Sequence, residues 1–258
     1  MKWQIKWHKW RAKSPYSLQL PTSWQQLKQG RRYCQALDAY FAPWFAKVYG
    51  QHILKIGGLS AELDWNTPNQ HAILLYPDFP LVNLPERTLS CSSPIQASIT
   101  HLPFYEKAID ACLLANTLNF SQDPHQLLRE VTRVLNDDGY LFLSLFNPCS
   151  SLLWKRHLQK KSAAKQRWPM RKYLTWRVID WLELLEFEII HSADLLKPAA
   201  LPHFCHFGGQ LVVIVARKRT IPLSLNPQKV RFKHPIFSPA NALTTPLTNT
   251  EAKVRSGD

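Results

Sequence analysis

Residues 102–148 constrain this chain more than any other stretch. A loop triplet Leu102-Pro103-Phe104, a short apolar run, a helical pattern ending in Arg133-Val134-Leu135 and a second apolar run follow one another without spare residues. Residues 109–115 are apolar apart from Asp110, the length of a strand covered by helices on both faces of a sheet. Ser121 to Asp123 supply N-cap candidates, and Pro124 suits the first helical position, where its missing N–H costs nothing. Leu127, Leu128, Val131, Val134 and Leu135 recur at helical spacing and make one apolar stripe, with Arg129, Glu130 and Arg133 on the wetter side. Asn136-Asp137-Asp138-Gly139 stops the helix, and residues 140–146 resume a strand that Asn147-Pro148 breaks. The unit reads as strand, helix, parallel strand, with the right-handed crossover such units adopt.

Further strands are expected at residues 53–56, 72–76, about 95–97, 187–191 and 210–216, with helical patterns between several of them. That alternation predicts an α/β fold with a mostly parallel sheet. In open sheets of this kind ligands bind outside the carboxyl ends of the strands, where strand order reverses.

The triplet Leu102-Pro103-Phe104, with Ile109-Asp110, Leu128-Arg129-Glu130, Arg133-Val134-Leu135, Gly139-Tyr140-Leu141 and Phe146-Asn147-Pro148, resembles the second half of class I S-adenosylmethionine-dependent methyltransferases of the type 11 group. A wider similarity, from about Trp24 through Tyr49-Gly50 to residues 217–223, is to a bacterial branch of that group with a degenerate glycine loop. The resemblance implies a Rossmann-like seven-stranded, mostly parallel sheet with helices on both faces and an antiparallel last strand. It also implies S-adenosyl-L-methionine as cofactor, bound over the first strands.

Under that resemblance the glycine loop is Lys55-Ile56-Gly57-Gly58-Leu59-Ser60-Ala61. Glycines let the backbone approach a cofactor without a Cβ in the way. Gly57 matches the first glycine, Leu59 and Ala61 stand at later ones, and Lys55 replaces the usual acid. A lysine facing the doubly cationic cofactor would oppose it by about 3 kcal/mol at roughly 6 Å and an effective dielectric near 20. Relief would come from Lys55 snorkelling away, or from Glu62 supplying the missing charge.

The cofactor-binding positions that the resemblance carries over are Gly57, Gly58, Leu59, Asp78, Ser98, Ile99 and Asn116. Asp78 would face the ribose hydroxyls, and its alternative is a turn residue between Pro77 and Pro80. Ser98 and Ile99 would meet the adenine, and Asn116 the methionine part or the acceptor; Ser98 and Asn116 serve equally as strand-end caps. His101 and His125 read as surface or packing residues. Methyl transfer from a sulfonium is an in-line displacement whose acceleration can come from alignment in a dry pocket, so the absence of an assignable base does not exclude it.

Outside the core, residues 1–21 form a basic Trp-rich extension with Trp3, Trp7 and Trp10 on one helical face. Residues 1–14 could touch an anionic membrane surface or form a frayed end. Residues 22–219 make the methyltransferase-like domain, in which Leu27, Leu37, Phe41, Phe45 and Val48 cover the sheet or roof the pocket. Residues 149–176 are a candidate insertion with Lys155, Arg156, Lys160, Lys161 and Arg167 among its cations and Trp154 and Trp168 interleaved. It suits RNA or another anionic partner, and equally a solvated helix. Residues 220–258 form a Pro-rich tail, expected to be disordered from about residue 227.

The formal charge of +14 points to polyanions or acidic surfaces as neighbours. Five scattered cysteines without CxxC spacing argue against a disulfide framework or structural zinc and fit a reducing cytoplasm, and no apolar run is long enough for a transmembrane segment. Two functional classes remain open at this stage. One is methyl transfer to an unidentified acceptor. The other is a degenerate methyltransferase fold used for binding or scaffolding, which Lys55, Leu59 and Ala61 favour.

Overall fold

In the computed structural model, which describes residues 19–27, 29–65, 70–77, 92–148, 170–197 and 209–220, the 102–148 unit forms as its sequence predicts. The elements in chain order are a 3-10 turn Trp24–Gln26, α1 (Gly30–Phe45), β1 (His52–Ile56), α2 (Gly58–Ala61), β2 (His71–Tyr76), β3 (Ser92–Gln96), β4 (Ile109–Ala115), α3 (Thr117–Phe120), α4 (Pro124–Val134), β5 (Leu135–Phe146), α5 (Thr175–Leu184), β6 (Phe187–Leu195) and β7 (Leu211–Lys218). The first 18 residues, most of the basic insertion, Asp78 and the tail from residue 221 lie outside the described residues.

The seven strands form one sheet in the order β3-β2-β1-β4-β5-β7-β6. All pairings up to β4–β5 are parallel, and β7 runs antiparallel to both of its neighbours. Strand order reverses between β1 and β4, so the crevice expected for a ligand opens above Ile56 and Ala115. Phe146 pairs with Leu211 and Leu211 with Leu195. The exits of β5 and β6 and the entry to β7 therefore share the rim on which β1 and β4 end.

Alternation along the strands splits the core into two layers. On one face Leu54, Ile56, Cys112, Leu114, Leu141 and Leu143 pack against α4 through Leu127, Leu128, Val131 and Val134, and against α5 through Val178 and Leu182. On the other, Ile53, Ala111, Leu113, Phe142, Val213 and Val215 meet Leu37, Phe41 and Phe45 of α1. The α4 stripe is fully buried, and each such Leu or Val contributes roughly 1.5–3 kcal/mol over its exposed state. A single Leu128→Asp would place an unpaired charge in that layer. The start of α4 is fixed by Asp123, whose side chain accepts a hydrogen bond from the Gln126 amide at 3.0 Å, and by Pro124 in its first turn.

Two local expectations are corrected. β5 starts at Leu135 rather than at Tyr140: Ile109 pairs with Leu135, Ala111 pairs with Tyr140, and residues 136–139 bulge out between them. Leu135 is fully buried, which holds it on the sheet while Asp138 takes φ 63° in the bulge. The second correction concerns Glu130 and Arg133, which do not simply face water. Arg133 donates to Phe104 O at 2.8 Å, to Leu102 O at 3.0 Å and to the Glu130 carboxylate at 2.9 Å, while Glu130 also accepts from the Leu102 amide at 3.0 Å. The Leu102-Pro103-Phe104 and Leu128-Arg129-Glu130 motifs thus belong to one clamp that fixes the loop before β4 against α4.

Asp110 plays a similar part at the opposite rim. Its Oδ2 accepts from the Gln51 and His52 amides at 2.9 and 3.0 Å, and its Oδ1 from Asn136 Nδ2 at 3.3 Å. A Cβ on Gly50, whose φ is +141°, would lie 2.3 Å from the Asp110 carboxyl carbon. Only glycine fits there. Among the described residues no helix is long and apolar enough to cross a membrane, and no group of three or more His, Cys, Asp or Glu side chains is placed to hold a metal ion.

Candidate functional site

β1 ends in a tight cinch. Gly57 turns the chain at φ 86°, ψ 160°, a conformation that L side chains rarely adopt, and its amide donates to Leu75 O at 2.9 Å. The Ile56 carbonyl then accepts from Ser60 Oγ at 2.7 Å and Thr117 Oγ1 at 2.9 Å. Ser60 Oγ in turn accepts from the Ala115 amide at 2.8 Å. These bonds pull the ends of β1 and β4 together where strand order reverses, and all six residues are buried.

Beside them lies an interior polar network. Asn116 takes the left-handed conformation, φ 54° and ψ 12°, which Asn tolerates better than most residues. Its Oδ1 accepts from Ser144 Oγ at 2.7 Å and its amide donates to the Ser144 carbonyl and hydroxyl oxygens, both at 3.1 Å. Asn119 accepts from the Phe146 amide at 3.1 Å and donates through Nδ2 to Arg171 O at 2.8 Å, while Arg171 N returns a bond to Asn119 O at 2.7 Å. The described end of the basic insertion is thereby fastened to α3.

The crevice itself is lined by Leu20, Pro21, Gly57, Gly58, Leu59, Ala115, Thr117 and Phe120 and holds about 140 Å³ of space between atoms. Its walls leave no room for even a water molecule, far less than a ligand pocket needs. Its roof is the chain's own residues 20–24. A Cβ on Gly58 would meet Thr22 O at 2.2 Å, and one on Gly57 would meet Leu20 Cδ2 at 2.9 Å. The buried Trp24 anchors this segment, its indole Nε1 donating to Leu59 O at 2.9 Å and its amide to Glu62 Oε2 at 3.3 Å.

Lys55 does not line the crevice. It lies on the α1 face of β1 and donates from Nζ to Leu63 O at 2.8 Å. Burial pulls its pKa down to about 8, against the opposing pull of Asp64 and Asp38. At the end of β2, burial and then the nearby Glu62 carboxylate push the Tyr76 phenol upward.

The structure brings Gly57, Gly58 and Leu59 together at the crevice and turns Asn116 inward beneath it. Ser98 is exposed, its Oγ 2.9 Å from Thr100 Oγ1, while Ile99 packs into the core beside Leu102. Asp78 lies outside the described residues. Sequence reasoning missed Ser60 and Thr117, which read only as small polar residues, and the seat of residues 20–22 on the glycine pair. Trp24 within a roofing segment was the available signal.

Residues 78–143 match the family model described as "Methyltransferase domain". The chain is 41% identical over 228 residues to the uncharacterized protein YafS of Escherichia coli strain K12, covering 84% of this chain and 89% of that one. Among solved structures it is similar to an S-adenosylmethionine-dependent methyltransferase of Thermotoga maritima described as a possible histamine N-methyltransferase, with TM-score 0.55, 19% identity and 73% and 90% of the two chains covered. A comparable likeness, TM-score 0.51 at 19% identity over 81% and 89% of the chains, is to the [4+2]-cyclase SpnF. These likenesses carry the fold, and the second shows that the fold alone does not fix the reaction.

Proposed function

Because the chain belongs to the class I S-adenosylmethionine-dependent methyltransferases of the type 11 group, we propose that it transfers a methyl group from that cofactor to an acceptor that remains to be identified. S-adenosyl-L-methionine is the cofactor of the family, and the reading rests on one observation. The Gly57-Gly58 turn stands at the carboxyl end of β1, where the strand order β3-β2-β1-β4 reverses.

The crevice as folded does not fit that cofactor. It is too small, its roof is the chain's own residues 20–22, and none of the described residues that line it is acidic. No chemical step is therefore routed through it. Of the carried-over positions, Gly57, Gly58 and Leu59 are the best placed to meet a nucleoside once the roof is displaced. Asn116 is a positioning residue, its polar groups engaged by Ser144 and Asn119. Lys55 raises no barrier of its own, because its charge is directed to Leu63 O rather than to the crevice. The charge of +14 favours an anionic acceptor such as RNA, with a membrane surface a weaker second contact through residues 1–14.

A specific observation favours a second reading, a binding protein that retains the fold. It is the backbone contact of Thr22 with Gly58, which fills the cradle with the chain itself. Titration calorimetry of the full-length protein with S-adenosylmethionine separates the two. Saturable one-to-one binding supports the enzyme, and absence of heat at millimolar ligand, in the wild type and in Leu20→Ala alike, leaves the binding protein.

A further inference from the structure

We infer that residues 20–24 are a competing strap: they occupy the place of the methyl donor against Gly57 and Gly58, and must lift before the donor binds. This inference rests on the methyltransferase reading and adds a regulatory contact to it.

Four contacts carry the argument. Thr22 O stands 2.2 Å from where a Gly58 Cβ would be, and Leu20 Cδ2 sits 2.9 Å from where a Gly57 Cβ would be. Glycine at these two positions is therefore already required by the strap. The Trp24 indole, 1% exposed, is held by Leu59 O at 2.9 Å, the carbonyl one residue past the glycine pair. Glu62 spends its Oε2 on the Trp24 amide at 3.3 Å. The same carboxylate is the first acid after the glycine pair in sequence, so lifting the strap would both vacate the glycines and free that acid.

The strap lies outside the sheet and precedes α1 across Gln29, whose φ is 64°, with Trp24 O 1.7 Å from where a Cβ on Gly30 would stand. A protein whose binding-competent state is fractionally populated shows an affinity reduced by that fraction.

The test uses the full chain as wild type, Leu20→Ala and Trp24→Phe, each titrated with S-adenosylhomocysteine by calorimetry, with amide exchange over residues 19–27 followed at saturation. Leu20 is half-buried, so Leu20→Ala keeps the experiment alive should Trp24→Phe fail to fold. The expected result is binding roughly tenfold tighter in the variants, or binding in the variants alone, together with faster exchange of residues 19–27 when ligand is added to a binding-competent protein. Equal affinities with unchanged strap exchange would overturn the strap while leaving the donor site intact. No binding in any of the three would overturn the strap and the methyltransferase reading together.

Discussion

Lys55 donates a hydrogen bond from Nζ to the carbonyl oxygen of Leu63 at 2.8 Å, so the cation that stands in place of the family's acid is buried against the protein's own backbone. Its side chain is 6% exposed, and the consequence is a pH-dependent cost. The ordinary lysine value of 10.5 falls to about 8 in the folded chain. Below pH 8 both folded and unfolded chains carry the charge and the cost of burying it is complete. Between about 8 and 10.5 the unfolded chain holds the proton and the folded chain has lost it, so stability from this site rises with pH across that window. Replacing Lys55 by Met should stabilise the protein by about 2 kcal/mol at pH 7: the relieved charge is worth about 3 kcal/mol at 1.36 kcal/mol per unit, and leaving Leu63 O unpaired costs about 1 kcal/mol. Urea unfolding at pH 7 and pH 10 should show the advantage shrinking at the higher value. An advantage that grows with pH would contradict the buried charge.

Removing the guanidinium of Arg133 should cost about 2 kcal/mol, since it leaves the Leu102 and Phe104 carbonyls without their donor and Glu130 without its counter-ion. Arg133→Lys should recover only part of the loss, because an ammonium cannot span the two carbonyls and the carboxylate as the planar fork does. Chemical denaturation of both variants reads this directly. A Lys variant as stable as wild type would show that charge alone suffices.

Gly50→Ala should be among the most damaging small substitutions. Its Cβ would fall 2.3–2.4 Å from the Asp110 carboxyl group in a backbone conformation that alanine rarely adopts, for a loss of about 2–4 kcal/mol. Pairing it with Asp110→Ala should give less than the sum of the two single losses, because the second change removes two of the three atoms the first one strikes. Additive losses in thermal unfolding would argue against the contact.

The Cys34 thiol is pushed up to about 12, first by burial and then by Asp38, to which it donates at 3.6 Å. Alkylation proceeds through the thiolate. Site-resolved mass spectrometry after iodoacetamide treatment at pH 8 should therefore find Cys34 modified at least a hundredfold more slowly in native protein than in urea. Comparable rates would place Cys34 in a more open setting than the one described.

Much of the fold was legible because its signals are local. The buried stripe of α4, the Asp123 cap and the limits of β4 follow from spacing and from single residues, and the structure reproduces them. The continuation of β6 to Leu195 was not legible, since its residues are exposed or half-buried and it is held through pairing with β7. At the site, Lys55 could have been assigned to its face: Leu54 and Ile56 flank it in an apolar strand, so it must share the opposite face with Ile53. Asn116 was harder, because a polar residue after a strand reads the same whether it faces a ligand or a neighbouring hydroxyl. The contact of Thr22 with Gly58 left no side-chain signature at all, being made by backbone across 36 residues of chain.

The shared rim at which β1, β4, β5 and β6 finish and β7 begins has a consequence for how such a chain can diversify. Every connection leaving the sheet there can lengthen or change composition without disturbing the two layers below, which are tied at the far rim by Asp110. A domain built this way can be re-addressed to new molecules by grafting loops, its scaffold inherited unchanged.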